Sequence, residues 1–123
     1  MANSLNIAVS LAAVIGGQSY PLAAQNTIVP AGSGAAKSNV LVATSATAIY
    51  AANSLGSGIL ASYVVIVNLD PTNYIDVSLE NTAIVTPQVV QPGGILVLSP
   101  GAGAIWAKAN TAACEVSVLA LPV

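Results

Sequence analysis

The chain has 123 residues, 55% of them apolar and only 5% charged, with a net charge of −2 at neutral pH. It contains no His and no Arg, which removes His-based triads, the usual zinc ligand sets and guanidinium clamps. Two lysines make no cationic footprint for nucleic acid, a single cysteine makes no intrachain disulfide, and the apolar content argues against disorder.

The six charges are Lys37, Asp70, Asp76, Glu80, Lys108 and Glu115. A folded chain of this size exposes about 6000 Å², so each charge serves roughly 1000 Å², well below a dispersed surface. Partners or neutral polar groups are expected to cover the remainder. The mean hydropathy is +0.82. The longest apolar runs, Leu5–Ile15 and Ile59–Leu69, nevertheless fall short of the about 20 residues of a spanning helix and are broken by Asn6, Ser10, Ser62 and Asn68. Nothing basic precedes Leu5, so neither a signal peptide nor a membrane partner is expected.

In chain order, Leu5–Ala13 alternates, with Leu5, Ile7, Val9, Leu11 and Ala13 on one face and small uncharged residues on the other, which predicts a strand. Gly16-Gly17 reads as a turn, and Tyr20–Val29 and Val40–Thr44 as weaker strands. Between those two strands, Pro30–Asn39 is expected to be an exposed excursion. The Ala-rich stretch Ser45–Leu55 has room for a helical turn or two, and Gly56-Ser57-Gly58 reads as a loop.

The centre carries the strongest local signal. Ser62–Leu69 and Tyr74–Leu79 read as strands joined by Asp70-Pro71-Thr72-Asn73, in which Pro71 presets φ while Asp70 and Asn73 satisfy local backbone donors. Pairing Leu69 with Tyr74 gives an antiparallel hairpin that sets Val67 against Asp76 and Val65 against Ser78. Val64, Ile66, Ile75, Val77 and Leu79 then form a core face. The opposite face, with Tyr63, Val65 and Val67 on a side that also bears Asp76 and Glu80, calls for a cover by another strand or another subunit. After the Pro92-Gly93-Gly94 turn, Ile95–Leu98 is apolar on both faces and suits a central strand. Ile105–Ala109 follows a Pro100–Gly103 turn, and Cys114–Leu121 closes the fold. The expectation is all-β: one antiparallel β-sandwich or jelly-roll-like barrel over residues 1–123, with seven to nine short strands.

Chemistry-bearing constellations are sparse. Asp76 and Glu80 on one strand face lie roughly 13 Å apart, beyond the about 5–9.5 Å of glycosidase pairs. Asp70, Asn73 and Asp76 supply oxygens without the density of a calcium loop. Cys114 has no His to activate it and reads as a small buried hydrophobe. Gly32-Ser33-Gly34 and Gly101-Ala102-Gly103 lack the rest of a phosphate loop. Trp106, beside Lys108 on one strand face, suits an anchor or a stacking platform. No catalytic residue, metal ligand or cofactor is expected, and no enzyme.

The run Val-Asn-Leu-Asp-Pro-Thr-Asn-Tyr-Ile-Asp-Val (67–77), Gln91-Pro92-Gly93, Ile-Trp-Ala-Lys-Ala (105–109) and a Val/Leu-rich final strand occur in that order. This series resembles small β-sandwich virion proteins of tailed bacteriophages, of the capsid decoration or cement type. The resemblance covers about half of the chain, residues 64–123, and its motifs are structural. Gly94 departs from it, because an acidic residue is common after the Pro-Gly.

The resemblance implies a non-enzymatic structural protein, located in the virion and made in the host cytoplasm, that stabilises a phage head. Its implied partners are a major capsid protein and copies of itself, with a trimer favoured. Candidate interface residues are Tyr63, Val65, Val67, Tyr74 and Trp106. The alternatives are a neck or tail component, or a carbohydrate- or receptor-binding β-module working through Trp106 and the tyrosines.

Overall fold

A computed structural model describes residues 5–28, 36–51, 55, 61, 63–80, 84, 87–100 and 103–122. They contain ten β-strands, all paired antiparallel, and no helix. The strands are β1 (Leu5–Ile15), β2 (Gln18–Ile28), β3 (Ala36–Val42), β4 (Thr47–Tyr50), β5 (Tyr63–Asn68), β6 (Ile75–Ser78), β7 (Gln88–Val90), β8 (Ile95–Leu98), β9 (Ile105–Ala109) and β10 (Cys114–Leu121). The chain divides into two compact units, Met1–Ser33 with Val123, and Gly34–Pro122.

The first unit is a hairpin of β1 and β2, registered from Leu5↔Ile28 to Ile15↔Gln18. Gly16 (φ 59°) and Gly17 (φ 80°) form its two-residue loop. Two consecutive positive φ values define the type I′ turn, whose twist matches the strands it joins, and glycine takes both positions without strain.

The second unit is a sandwich of two four-stranded sheets, ordered β3-β10-β5-β8 and β4-β9-β6-β7. Successive strands switch sheet except β6 and β7, which pair directly. Eight strands in this order make a jelly roll. Alternation produces the core: β10 buries Cys114, Val116, Val118 and Ala120, β5 buries Val64 and Ile66, and β9 buries Ile105, Ala107 and Ala109. With Ile75, Val77, Ile49, Tyr50 and Val42 these residues form one cluster between the sheets, and Val40, Leu96 and Leu98 pack against it.

Five sequence expectations are corrected. Residues 63–68 and 75–78 are both strands, but they do not pair. Strand β5 lies between β10 and β8, while β6 lies between β9 and β7 in the other sheet. The Asp70, Pro71 and Asn73 segment is therefore a crossing between sheets and not a hairpin turn. Residues Val64, Ile66, Ile75 and Val77 do share the core, from opposite sides, but Leu79 lies past the end of β6 and is 54% exposed.

Strand β8 is an edge strand, since its outer residues have only β5 beside them. Ala36–Asn39 belongs to β3, paired along β10, and residues 30–35 of the expected excursion lie outside the described residues. The Ala-rich stretch holds β4, whose Ile49 and Tyr50 are buried. The Gly32–Gly34 and Gly56–Gly58 loops also lie outside the described residues, as do residues 101 and 102 of the Pro100–Gly103 turn.

Candidate contact surface

The register of the β3-β10-β5-β8 sheet fixes which side chains share its outer face. One row across the sheet reads Asn39, Ser117, Val67, Ile95, and the next reads Lys37, Leu119, Val65, Val97. Leu121 and Tyr63 stand opposite each other one row further along. The half of this face over β5 and β8 is therefore aliphatic, with Ile95 68% and Val97 41% exposed. Over β3 and β10 the face is mixed, with Leu41, Leu119 and Leu121 among Lys37, Asn39, Ser117 and Glu115, and there Asn39 Nδ2 donates to Glu115 Oε1 at 3.2 Å. A contiguous apolar patch rimmed by polar residues marks an interaction site.

The outer face of β4-β9-β6-β7 differs. Trp106 stands between Ala48 and Ser78, and Lys108 is registered against Asp76, which has Val89 on its other side. Lys and Asp opposed across a ladder are mutually favourable, and they keep this face polar. The five candidate interface residues are thus not brought together. Tyr63, Val65 and Val67 share the apolar face, and Trp106 lies on the other sheet. Tyr74 precedes β6, where its carbonyl accepts the Asn110 N–H at 3.2 Å.

The crossing from β5 to β6 is organised by Asn68, a fully buried side chain that sequence reasoning missed. Its Nδ2 faces the carbonyls of Asn73 (2.8 Å), Val90 (3.2 Å) and Gln91 (3.3 Å), and its Oδ1 accepts the Asp70 N–H (3.0 Å). The main chain joins in: Asn68 N–H donates to Gly94 O and Leu69 N–H to Glu115 O. One amide thereby ties the crossing to the β7–β8 turn.

That turn also explains the departure at Gly94. A Cβ there would lie 2.8 Å from the Gln91 carbonyl oxygen, so no side chain fits without a shift. The one available signal for Asn68 was its placement. It falls at a core-facing position of an alternating strand, where a buried amide must find backbone partners.

Within the crossing, Asp70 Oδ1 accepts the N–H groups of Thr72 (2.8 Å) and Asn73 (2.6 Å) and the Asn73 side-chain amide (3.3 Å). The Asn73 and Thr72 N–H bonds hold the carboxyl below its usual range, because they favour the charged form. Asn73 Oδ1 in turn accepts the Thr111 hydroxyl at 2.7 Å. Cys114 is buried, and burial followed by the nearby Asp70 charge raises its thiol pKa. The thiol is held protonated, the opposite of an activated nucleophile.

Among the described residues no three His, Cys, Asp or Glu side chains converge. A shallow, open depression of about 330 Å³ beside the end of β6 has Glu80 as its single ionisable group, among Leu79, Gln88, Leu98 and Ser99. No helix among the described residues is long and apolar enough to cross a membrane. This arrangement defines a jelly-roll sandwich, one of whose outer sheet faces is aliphatic over β5 and β8 and carries Lys37 and Glu115 over β3 and β10. No protein-family model matches the sequence, and no curated protein matches it.

Proposed function

We propose that this chain is a non-enzymatic structural protein of a virion, a capsid decoration protein that stabilises a phage head by contact. The observation that carries the reading is the aliphatic half of the outer face over β5 and β8, with Val65, Val67, Ile95 and Val97 at its centre. Such a face suits shape-complementary burial against a major capsid protein, with Tyr63 as an anchor at its end. Jelly rolls recur in viral capsid and lectin domains, which supports the reading by analogy of fold. The sequence resemblance to small phage virion proteins points the same way. In this reading the protein is made in the host cytoplasm and resides in the particle, beside copies of itself.

The test is to heat particles with and without the protein, in low and high salt. Particles lacking it assemble but release their genome at a lower temperature, and adding the protein back restores them. Few charges take part, so the protection persists in high salt. Equal release temperatures overturn the reading. A few copies per particle, in place of many, would move the assignment to a neck or tail component.

A further inference from the structure

The hairpin of β1 and β2 raises a separate question: what its outer edges do. Each strand is 11 residues long, and residues 5–28 carry no charge. Among the described residues β1 pairs with β2 alone. A lone two-stranded hairpin is marginal in water. A long uncharged edge is also a template for another strand, which proteins ordinarily guard with charges, bulges or proline.

The two edges are guarded unequally. Pro21 in β2 is registered against Ala12. Proline has no N–H, so this pair cannot be one in which two residues exchange both backbone bonds. Pro21 therefore sits at a non-hydrogen-bonded position and turns its donorless nitrogen outward, where it interrupts the free edge of β2. By the alternation of the ladder, the residues of β1 whose N–H and C=O point outward are Asn6, Ala8, Ser10, Ala12 and Val14. None is proline or charged, and all are exposed.

We propose that the free edge of β1 pairs antiparallel with β1 of a second copy of this chain, about a twofold axis at Ser10. Ser10 is the middle residue of Leu5–Ile15, so this centre gives the greatest overlap. It sets Ser10 opposite Ser10 of the other copy, Ala8 opposite Ala12, and Asn6 opposite Val14. A second copy is the favoured occupant because the edge is self-complementary: at the centre Ser10, Ala8 and Ala12 meet small side chains, and along its whole uncharged length no like charges are opposed. With the β2 edge interrupted by Pro21, addition occurs on one side and closes as a pair. The inference rests on the reading of a self-associating structural protein and puts a twofold pair in place of the trimer that the resemblance implies; its geometry depends on the hairpin alone.

Sedimentation of the full chain over a range of concentrations tests it. The wild type is expected to dissociate reversibly from a dimer or a multiple of one. Ser10→Pro removes an outward donor and leaves the β1–β2 ladder intact, as Pro21 does on β2. It should raise the dissociation constant by about tenfold or more with an unchanged circular dichroism spectrum. Ser10→Lys, which puts like charges face to face, gives the same result should the proline variant misfold.

Cross-linking reads the register. In a Cys114→Ser background, diamide should link S10C chains, because hydrogen-bonded partners lie about 5.5 Å apart between Cα atoms. A8C or A12C alone should not link, but a mixture of the two should. A wild-type monomer at all concentrations, or Ser10 variants that associate like the wild type, overturns the inference. So does a Ser10→Pro protein that keeps its self-association and loses only its attachment to particles, since the edge would then hold a strand of the particle. Thermal protection of particles by a protein that does not self-associate would overturn this inference and leave the decoration reading standing.

Discussion

The two outer faces of the sandwich are built by the same alternation, yet they differ in what they leave in solvent. Over β5 and β8 the outward positions are Val65, Val67, Ile95 and Val97, while over β6 and β9 they are Asp76, Ser78, Trp106 and Lys108. Both sheets contribute their inner faces to one core, so the difference lies in the outward residues. A chain with six charges has placed two of them in register with each other on one sheet and none over β5 and β8 on the other. That partition separates a face able to stand in water from one that gains by leaving it.

The largest expected effect comes from breaking the link that holds both faces in one body. Asn68→Ala removes the amide between the crossing and the β7–β8 turn and strands buried carbonyls. We expect it to destabilise the sandwich by about 2–4 kcal/mol in denaturant unfolding. A loss as small as that of an exposed substitution would show that the crossing is held by its main chain alone.

The contrast itself is sharpened by charge placement. Val97→Lys should change folding stability little, since its site is partly exposed, but should weaken attachment to particles by about 2 kcal/mol, near thirtyfold in Kd. Lys108→Ala and Trp106→Ala should leave attachment unchanged. The reverse pattern, with Trp106→Ala disabling and Val97→Lys silent, would move the contact to the other sheet and favour a glycan- or receptor-binding module.

The smallest effect is in acid. Asp70 has a folded-state pKa below its usual value, owing to the N–H groups of Asn73 and Thr72. Its contribution to stability is present in full above the usual carboxylate value of 3.8. It is lost as pH falls through the lowered value, because the unfolded state takes up the proton first. Asp70→Asn should lower the thermal midpoint modestly near neutrality and flatten its dependence on pH in that acid window, so that the two proteins converge as pH falls. An unaltered acid profile would mean that other carboxyls set it.

Much of this was legible from alternation. The burial of Val64, Ile66, Ile75 and Val77 follows from period-two patterning, and the limits of β9 and β10 match the runs Ile105–Ala109 and Cys114–Leu121 set off by their flanking turns. What alternation does not carry is which strand lies beside which. A four-residue link with Asp, Pro and Asn satisfies the same local donors whether it reverses the chain within a sheet or carries it across to the next. The choice here rests on Asn68 and on Leu69 N–H reaching Glu115 O, a partner 46 positions away. Strand β8 misleads for a related reason: apolar residues on both sides read as a central strand, whereas here β8 is at the sheet edge and its outer residues, Ile95 and Val97, are exposed. The candidate residues Tyr74 and Trp106 were chosen by residue type, and type alone does not assign a sheet.

Strand β10 is the last of the ten, and it lies between β3 and β5. Its pairs reach from Ala120 back to Ala36 and from Leu121 back to Tyr63. On a ribosome, therefore, neither β3 nor β5 meets its shared neighbour until residues 114–121 have been made. Pairings so distant along the chain close slowly. Throughout synthesis two strands with open edges wait for a third, in a sequence almost without the charges that keep waiting strands apart. The interval between the emergence of β5 and the arrival of β10 is when this chain is most exposed to its own copies.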